Sequence, residues 1–370
     1  MVEHRKHAKL TLRANDNFAP NEIAILGSKC SIISDLAYRV SLELSNYNLS
    51  YFDASHREEG SQHELSNFTF HHKGTANFSI NASVNKFNQR IQFSQFDYVF
   101  INGNHYRGSK QILILDKDKE ASVLKRLEQL DNVQFVIKLN DDSDYFDFLV
   151  NKYPKIKNLP SYGIHEVVKI SSHIKNLIEE KIAQVQGLVL VGGKSMRMGT
   201  DKASLNYFGK SQQEVMVELL EKQQLKTYLS VSKEQDSLTA NQIADTFLGL
   251  GPFGAICSAF RKNPDVAWLV IATDLPFVND DIIALLLKHR NPSKAATALK
   301  GKNKQFPEPL ITIWEPKSYT LLLNYLAQGY SCPRKVLINS EVEIVEIDDN
   351  FIRNINTPEE FEAAYKELND

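Results

Sequence analysis

A glycine-rich stretch near the middle of the chain, residues 187–203, most constrains how this sequence can fold. It begins with a short apolar run, Leu-Val-Leu-Val, which breaks into Gly192-Gly193. This pattern predicts a buried parallel strand that ends in a tight loop, and the paired glycines let backbone N–H groups approach an anion closely. Three cations follow the turn, namely Lys194, Arg197 and Lys202. The stretch therefore predicts a phosphate-binding loop at the end of a strand.

A second apolar run, residues 267–272, is followed by Asp274 and Pro276. A continuous apolar run is typical of a central parallel strand that is buried on both faces. Asp274 would then lie at the carboxyl edge of the sheet, which is where open α/β sheets bind ligands. We expect this carboxylate to act together with the cations of the glycine-rich stretch.

The amino-terminal half alternates apolar runs with polar loops. Residues 23–26 and 98–101 predict strands, and residues 32–44 have apolar side chains at helical spacing. Strands separated by helical segments indicate a mostly parallel α/β sheet. A chain of 370 residues with 42% apolar content is also long enough for two cores. We therefore predict two Rossmann-like, three-layer α/β domains with mostly parallel sheets.

The predicted domain boundaries follow from changes in pattern. Pro154 and Pro160, without an apolar period between them, mark a connector, and an amphipathic helix comes after it. The predicted segments are a flexible arm over 1–20, a degenerate P-loop-like α/β domain over 21–150, a linker and helix over 151–184, and a second α/β domain over 185–370.

Charge and cysteine content exclude several classes of protein. Lys and Arg total 43 against 45 Asp and Glu, so no net charge favours binding to nucleic acid or to an anionic membrane. The three cysteines lie far apart, which argues against a disulfide framework or a zinc site and predicts a reducing compartment. The polar start contains no apolar stretch of the length of a signal peptide or a membrane span. We expect a cytoplasmic protein.

The combination Gly-Gly-x-Ser-x-Arg-Met-Gly-x-Asp-Lys over residues 192–202 is much more specific than a glycine pair. It resembles the nucleotide-binding signature of the nucleotidyltransferases and is most similar to that of the molybdenum cofactor guanylyltransferase family. The resemblance extends over residues 187–368, about half of the chain. It implies a nucleotide-binding transferase that moves GMP from GTP to molybdopterin, releases pyrophosphate and uses Mg²⁺. The implied partners are GTP, molybdopterin and possible molybdoenzymes or cofactor-insertion proteins, with no nucleic acid and no membrane.

The same resemblance assigns roles to individual residues of this chain. Asp245 takes the position of an aspartate that reads guanine, although a turn residue would look the same in sequence. Ser230 stands near the place of a family asparagine. The implied catalytic residues are Arg197, Lys202 and Asp274, and the implied metal ligands are Asp274 and Asn356. The implied nucleotide contacts are Leu190, Val191, Gly192, Gly193, Lys194, Ser195, Lys202, Ser230, Asp245 and Gly251, and the implied acceptor contacts are Pro309, Arg334 and Asn354.

The amino-terminal half contains an incomplete phosphate-binding motif over residues 27–31, Gly-Ser-Lys-Cys-Ser. It lacks the second glycine and the spacing of a P-loop, so we predict no nucleotide hydrolysis there. With residues 53–56 and 102–105, this half loosely resembles, in a degenerate form, the P-loop accessory protein of molybdenum cofactor biosynthesis, which can occur fused to the guanylyltransferase. The histidines of this half are expected in solvated loops more than at a metal, and His105, at a strand end, is the main candidate for an exception.

Two alternatives to guanylyl transfer stay open at this point. One is a different nucleotidyl transfer, either of CMP to molybdopterin or of a nucleotide to a sugar phosphate. The other is an inactive adaptor that only binds a nucleotide or cofactor. Intact Arg197, Lys202 and Asp274 favour an enzyme over the adaptor.

Overall fold

The computed structural model describes most of the chain. Its described residues are 18–54, 66–71, 76–79, 86–191, 204–231 and 239–369. The chain divides into two compact units, Met1–Lys181 and Ile182–Asp370. Among the described residues, no helix combines the length and the hydropathy needed to cross a bilayer.

The amino-terminal unit is built on a parallel sheet. Within the described residues its strands are β1 Glu22–Leu26, β2 Leu49–Phe52, β3 Asn67–Phe70, β4 Ala76–Ser79, β5 Tyr98–Asn102, β6 Gln111–Leu115, β7 Val133–Lys138 and β8 Ser161–Gly163. The main sheet has the order β2-β5-β1-β6-β7-β8, and every neighbouring pair is parallel. Strands β1, β5 and β6 are buried along their whole length, as expected for apolar runs covered on both faces. The pair β3 and β4 forms a separate antiparallel hairpin, which the sequence analysis did not predict.

Helices cover the amino-terminal sheet. Their ranges are α1 Cys30–Glu43, α2 Lys86–Phe93, α3 Glu120–Lys125, α4 Asp147–Lys152 and α5 Val167–Glu179. Helix α1 buries Ile33, Leu36 and Val40, whose spacing places them on one face. This face shares a hydrophobic cluster with Ile174 of α5, which seals one side of the sheet.

The segment over 151–184 differs from the predicted linker and helix. Strand β8 pairs in parallel with β7, so Ser161–Gly163 extends the amino-terminal sheet by one strand. Helix α5 also begins seven residues earlier than the amphipathic segment 174–182 suggested, at Val167. This edge strand could not be predicted beside the two prolines, because three residues are too few to show an alternation of apolar and polar side chains.

The carboxy-terminal unit is built on a mixed sheet. Within the described residues its strands are β9 Val185–Leu190, β10 Thr227–Val231, β11 Gln242–Ala244, β12 Ala267–Ala272, β13 Ala296–Gly301, β14 Ile311–Trp314 and β15 Val342–Ile347. Their order is β11-β10-β9-β12-β14-β13-β15. All neighbours are parallel except β14, which runs antiparallel to both β12 and β13. Cross-strand partners Trp268 and Trp314 are both fully buried at this junction.

Helices lie on both faces of this second sheet. Their ranges are α6 Gln212–Lys222, α7 Pro252–Lys262, α8 Asp280–Lys288, α9 Lys317–Ala327, α10 Pro333–Ile338 and α11 Pro358–Asn369. Successive strand residues alternate between two cores, since Leu188 joins the cluster with α7 and α9, and Val189 joins the cluster with α6 and α8. This is a three-layer arrangement. The predicted fold class, α/β with mostly parallel sheets, is confirmed.

Candidate active site

Two neighbouring strands bring the predicted site elements to one edge of the sheet. Strands β9 and β12 are parallel partners, and Leu190 stands opposite Ala272. The hydroxyl of Thr273 donates a hydrogen bond to the carbonyl oxygen of Leu190, at 3.5 Å. The chain therefore leaves the sheet at adjacent points toward the glycine-rich stretch and toward Asp274. Of the two predicted nucleotide contacts here, Leu190 is buried and Val191 is half-buried.

The glycine-rich stretch itself lies outside the described residues. This holds for the predicted nucleotide contacts Gly192, Gly193, Lys194 and Ser195, and for the predicted catalytic residues Arg197 and Lys202. Their roles stay predictions. The described chain resumes at Ser204 and soon reaches Tyr207, which is buried.

Asp274 is held next to the segment that precedes the last helix. The backbone N–H of Ile355 donates to the carbonyl oxygen of Asp274, at 2.9 Å. Consequently Asn354 and Asn356, which flank Ile355 in the chain, belong to a segment that is bonded to the Asp274 backbone. Tyr207 packs in one hydrophobic cluster with Ile355. Burial and, second, the charge of Asp274 raise the pKa of its phenol. The resemblance had implied that Asp274 and Asn356 meet, whereas nothing in the sequence indicated that the segment with Tyr207 joins them.

A capping box fixes the position of the asparagine segment. Glu360 accepts hydrogen bonds from the backbone N–H groups of Asn356 and Thr357, at 2.6 and 3.2 Å. In return, the Glu360 N–H donates to the Thr357 hydroxyl at 3.3 Å. Residues 357–360, Thr-Pro-Glu-Glu, thus form a capping box at the start of α11, which this order of residues favours. The cluster formed by Tyr207, Ile355 and Ala364, with Phe277 and Phe361 against it, anchors the same helix.

A pocket of about 470 Å³ opens beside this segment. Its polar lining consists of three cationic side chains, two carboxylates and four amides, namely Lys304, Arg334, Arg353, Glu308, Asp349, Gln305, Asn350, Asn354 and Asn356. Two of the three predicted acceptor contacts, Arg334 and Asn354, therefore face one cavity together with the predicted metal ligand Asn356. Pro309 is buried beside Glu308 and does not line this cavity.

Glu308 is a site residue that sequence reasoning missed. Its side chain is only 9% exposed and pairs with Arg334 at 3.4 Å, and its Oε1 accepts from the Leu310 N–H at 3.2 Å. Burial raises the pKa of the Glu308 carboxyl, and the charge of Asp274 adds to the rise, while the Leu310 N–H and Arg334 oppose it. The available signal was an acidic residue between two prolines in an otherwise apolar stretch, which is an unusual place for a charge.

Asp245 follows β11 and is engaged in its own turn. Its Oδ1 accepts from the Phe247 N–H and from the Ser258 hydroxyl, both at 2.9 Å. A Cβ at Gly254 would lie 3.2 Å from Asp245 Oδ2 and 2.3 Å from the Phe247 carbonyl oxygen, so only glycine fits there. These contacts show that Asp245 stabilises its own turn. Guanine recognition by Asp245 stays a prediction. Ser258 is a second residue that the sequence analysis missed.

The two remaining predicted nucleotide contacts lie near this turn. Ser230 is buried in β10, opposite Leu190 on one side and Ile243 on the other. Gly251 is the N-cap of α7 and has a φ of +56°, a backbone conformation that favours glycine. Pro252 then occupies the first position of α7, where its missing N–H costs no hydrogen bond.

The oxygen donors beside Asp274 fit a magnesium ion. Mg²⁺ prefers one or two protein carboxylates or carbonyl oxygens and keeps the remaining positions for water and phosphate. Asp274 supplies a carboxylate and Asn356 an amide oxygen on the neighbouring segment. Within the described ranges, no group of three or more His, Cys, Asp or Glu side chains is arranged around a metal. A magnesium ion bound here would need the phosphates of a substrate to complete its coordination.

Comparison with known proteins gives three findings. A family model described as a MobA-like NTP transferase domain matches residues 187–343. The molybdenum cofactor biosynthesis bifunctional protein of Synechocystis sp. is 30% identical over 214 residues, which cover 56% of this chain and 62% of that protein. The chain thus spans less than two thirds of the length of that relative. The molybdenum cofactor guanylyltransferase of Xanthomonas euvesicatoria is 29% identical over 192 residues, covering 50% of this chain and 96% of the relative.

Among solved structures, the molybdopterin-guanine dinucleotide biosynthesis protein A of Archaeoglobus fulgidus is 24% identical. The superposition covers 49% of this chain and 97% of the Archaeoglobus chain, with a TM-score of 0.42.

Proposed function

We propose that the carboxy-terminal half of the chain, which matches a MobA-like NTP transferase domain over residues 187–343, transfers GMP from GTP to molybdopterin and releases pyrophosphate. A single observation supports the proposal most. Asp274 leaves the sheet next to the strand that leads into the glycine-rich stretch, and the segment with Asn354 and Asn356 is bonded to its backbone. In this arrangement the glycine-rich stretch would bind the nucleotide, Asp274 would bind the metal, and the nearby pocket would bind the acceptor for a single reaction.

The reaction needs no nucleophile from the protein. A phosphate oxygen of the acceptor attacks the α-phosphorus of GTP, a new P–O bond forms, and the bond to the β-phosphate oxygen breaks. Arg197 and Lys202 would offset the negative charge that builds up on the leaving pyrophosphate. Asp274 and Asn356 would hold Mg²⁺, which neutralises phosphate charge when bound. Catalysis by this chain is then a matter of positioning and electrostatics.

The acceptor half of the site is the pocket that contains Arg334. A guanidinium matches phosphate oxygens with paired N–H donors, and Glu308 restrains one side of this guanidinium at 3.4 Å. The remaining donors of Arg334 are free to face the cavity, which Lys304 and Asn354 also line. Molybdopterin, which carries a terminal phosphate, has the chemistry that this pocket would bind.

Product analysis tests the proposal directly. The full chain is incubated with molybdopterin, Mg²⁺ and GTP, CTP or ATP in turn, and products are identified by mass spectrometry. We expect the guanine dinucleotide product from GTP and at least about tenfold less product from CTP or ATP, the discrimination typical of a few polar contacts to a base. A cytosine product in excess would replace guanylyl by cytidylyl transfer. Absence of any dinucleotide, with GTP still bound, would favour the adaptor.

A further inference from the structure

The carboxyl edge of the amino-terminal sheet carries a group of reactive side chains that guanylyl transfer does not use. Strands β2, β5 and β1 are consecutive neighbours in the sheet, and their carboxyl ends meet there. Asp53 follows β2, His105 follows β5, and Cys30 begins helix α1 after the turn that ends β1. Topology therefore brings together a thiol, an imidazole and a carboxylate that lie far apart in sequence.

The distances place one nitrogen of the imidazole close to both other groups. Nε2 of His105 lies 3.4 Å from Sγ of Cys30 and 3.7 Å from Oδ1 of Asp53. A nucleophile within hydrogen-bond reach of a base, with a third group beside that base, is the arrangement of enzymes that use an activated thiol. A proton that moves from Sγ to Nε2 would leave the imidazolium next to a carboxylate, which stabilises its positive charge.

The cluster is held in place by the surrounding structure. Oδ2 of Asp53 accepts from the Tyr51 hydroxyl at 2.9 Å and from the Asn102 side chain at 3.0 Å. The amide of Asn104 donates to the Ser28 carbonyl oxygen at 2.8 Å and lies 3.7 Å from Cys30 Sγ. The Asn104 amide is thus a second polar group beside the sulfur, in addition to His105.

The turn before Cys30 requires a glycine at position 27. Gly27 has a φ of +97°, and a Cβ there would lie 2.3 Å from the carbonyl oxygen of Ile114. Glycine lets the chain turn sharply after β1 and start α1 close to the sheet. The thiol consequently sits in the first turn of a 14-residue helix, where backbone N–H groups point outward and favour negative charge.

The other two cysteines provide a built-in comparison. Cys332 is exposed, whereas Cys257 is buried in the core of the carboxy-terminal unit. Burial, followed by the charge of Asp245, raises the pKa of the Cys257 thiol to about 12. Cys30 is intermediate in exposure, and the His105 side chain is 17% exposed. Exposure alone would make Cys332 the most reactive thiol.

We propose that Cys30 is a nucleophilic thiol and a site of reversible modification by low-molecular-weight disulfides. In this step His105 Nε2 takes the thiol proton, and Sγ attacks one sulfur of the disulfide. A bond forms between Sγ and that sulfur, the original S–S bond breaks, and the other half leaves as a thiolate that receives the proton from His105. Cys30 is oxidised to a mixed disulfide, and one equivalent of the small thiol is produced.

The test compares the three thiols within one protein. The full reduced chain is incubated with glutathione disulfide, and the rate at each cysteine is followed by peptide mass spectrometry. We expect Cys30 to react at least about tenfold faster than the more exposed Cys332, because proton transfer to a positioned base speeds such steps. Cys257 should stay unmodified. Equal rates at Cys30 and Cys332, or a faster Cys332, would overturn the proposal.

Two controls test whether the reactivity of Cys30 comes from the folded contacts with His105 and Asp53 or from the sequence next to Cys30. The substitution His105→Gln should lower the Cys30 rate to about that of Cys332, while the exposed His289→Gln in the other unit should leave it unchanged. In concentrated urea all three cysteines should react at similar rates, because the distances between Cys30, His105 and Asp53 are lost. A Cys30 advantage that persists in urea would assign its reactivity to neighbouring sequence and contradict the role of His105.

Discussion

The carboxyl edges of the parallel strands in the two sheets differ in how their polar side chains are used. At the amino-terminal edge, polar groups bond mainly to each other, as when the Ser28 hydroxyl donates to Asp116 at 2.7 Å and Asn102 to Asp53 at 3.0 Å. At the carboxy-terminal edge, Arg334 and Asn354 line a cavity of about 470 Å³. A parallel sheet determines where ligands can bind, while the residues after each strand determine the chemistry.

The difference also concerns charge. Lys29 at the amino-terminal edge is an exposed N-cap without a side-chain cap hydrogen bond. At the carboxy-terminal edge, Asp274 and the buried Glu308 are close enough for one to raise the pKa of the other. Two neighbouring carboxylates suit a substrate that arrives with a divalent cation, whereas a lone exposed lysine does not complete a phosphate site.

The largest expected effect is a loss of turnover that occurs only when the carboxy-terminal edge is changed. Asp274→Asn should lower turnover of GMP transfer by at least about 100-fold, since a preorganised charge is lost from the transition state. Higher Mg²⁺ should partly restore turnover, because the amide weakens metal affinity without abolishing it. Lys29→Ala is the matched change at the amino-terminal edge and should leave turnover nearly unchanged. A pyrophosphate-release assay measures both. Equal losses in the two variants would mean that both edges form one site.

The next effect concerns stability at the carboxy-terminal edge. Asp245→Ala should lower the free energy of unfolding by roughly 1–3 kcal/mol, because the Phe247 N–H loses its acceptor and the Ser258 hydroxyl keeps only the Gly254 carbonyl oxygen as its acceptor. Asp245→Asn retains an oxygen for these donors and should be milder in urea denaturation. If Asp245 also reads guanine, Asp245→Asn should still reduce the preference for GTP in calorimetry. Unchanged preference would leave Asp245 with the turn role alone.

A smaller effect should distinguish acceptor binding from nucleotide binding. Arg334→Ala should raise the KM for molybdopterin about tenfold, the scale of one charge-assisted hydrogen bond, and leave the KM for GTP unchanged. The neighbouring Lys335→Ala is the control, because Lys335 Nζ lies over the Tyr330 ring at 5.2 Å and is not among the pocket-lining residues. Steady-state kinetics in which each substrate is varied in turn would measure the two KM values separately. A rise in both KM values would place Arg334 at the nucleotide instead.

The smallest effect is a pH dependence of stability. Because burial and Asp274 raise the folded-state pKa of Glu308, the native state binds more protons than the unfolded state above the ordinary carboxyl value. Stability should therefore fall as the pH rises from about 4.5 toward the folded-state pKa. Glu308→Gln removes this contribution, so its stability relative to wild type should rise over that window. Urea denaturation at several pH values checks the sign.

Local signals made the sheet edges predictable from sequence. The apolar run before Asp274 and the Thr357 capping box each lie within about ten residues, so short-range pattern is sufficient for β12 and α11. The antiparallel insertion of β14 between β12 and β13 was not predicted, because strand order depends on contacts across the whole unit.

Side-chain clusters were harder to predict for the same reason. Cys30 and His105 are 75 positions apart, and Arg334 and Glu308 are 26 apart. Neither pair has a fixed spacing that a sequence motif would reveal. They become visible only when strand order and helix positions are known.

The most direct test asks whether the carboxy-terminal unit performs the transfer alone. A fragment beginning at Ile182 retains β9 and the Ala183 carbonyl oxygen that accepts from Arg290 at 2.7 Å, so we expect it to fold. It is incubated with Mg²⁺, molybdopterin and GTP labelled at the α-phosphate, and the label is followed by chromatography and mass spectrometry. The account predicts that the label enters a guanine dinucleotide product. A folded fragment that binds GTP but never transfers the label, while the full chain does, would contradict it.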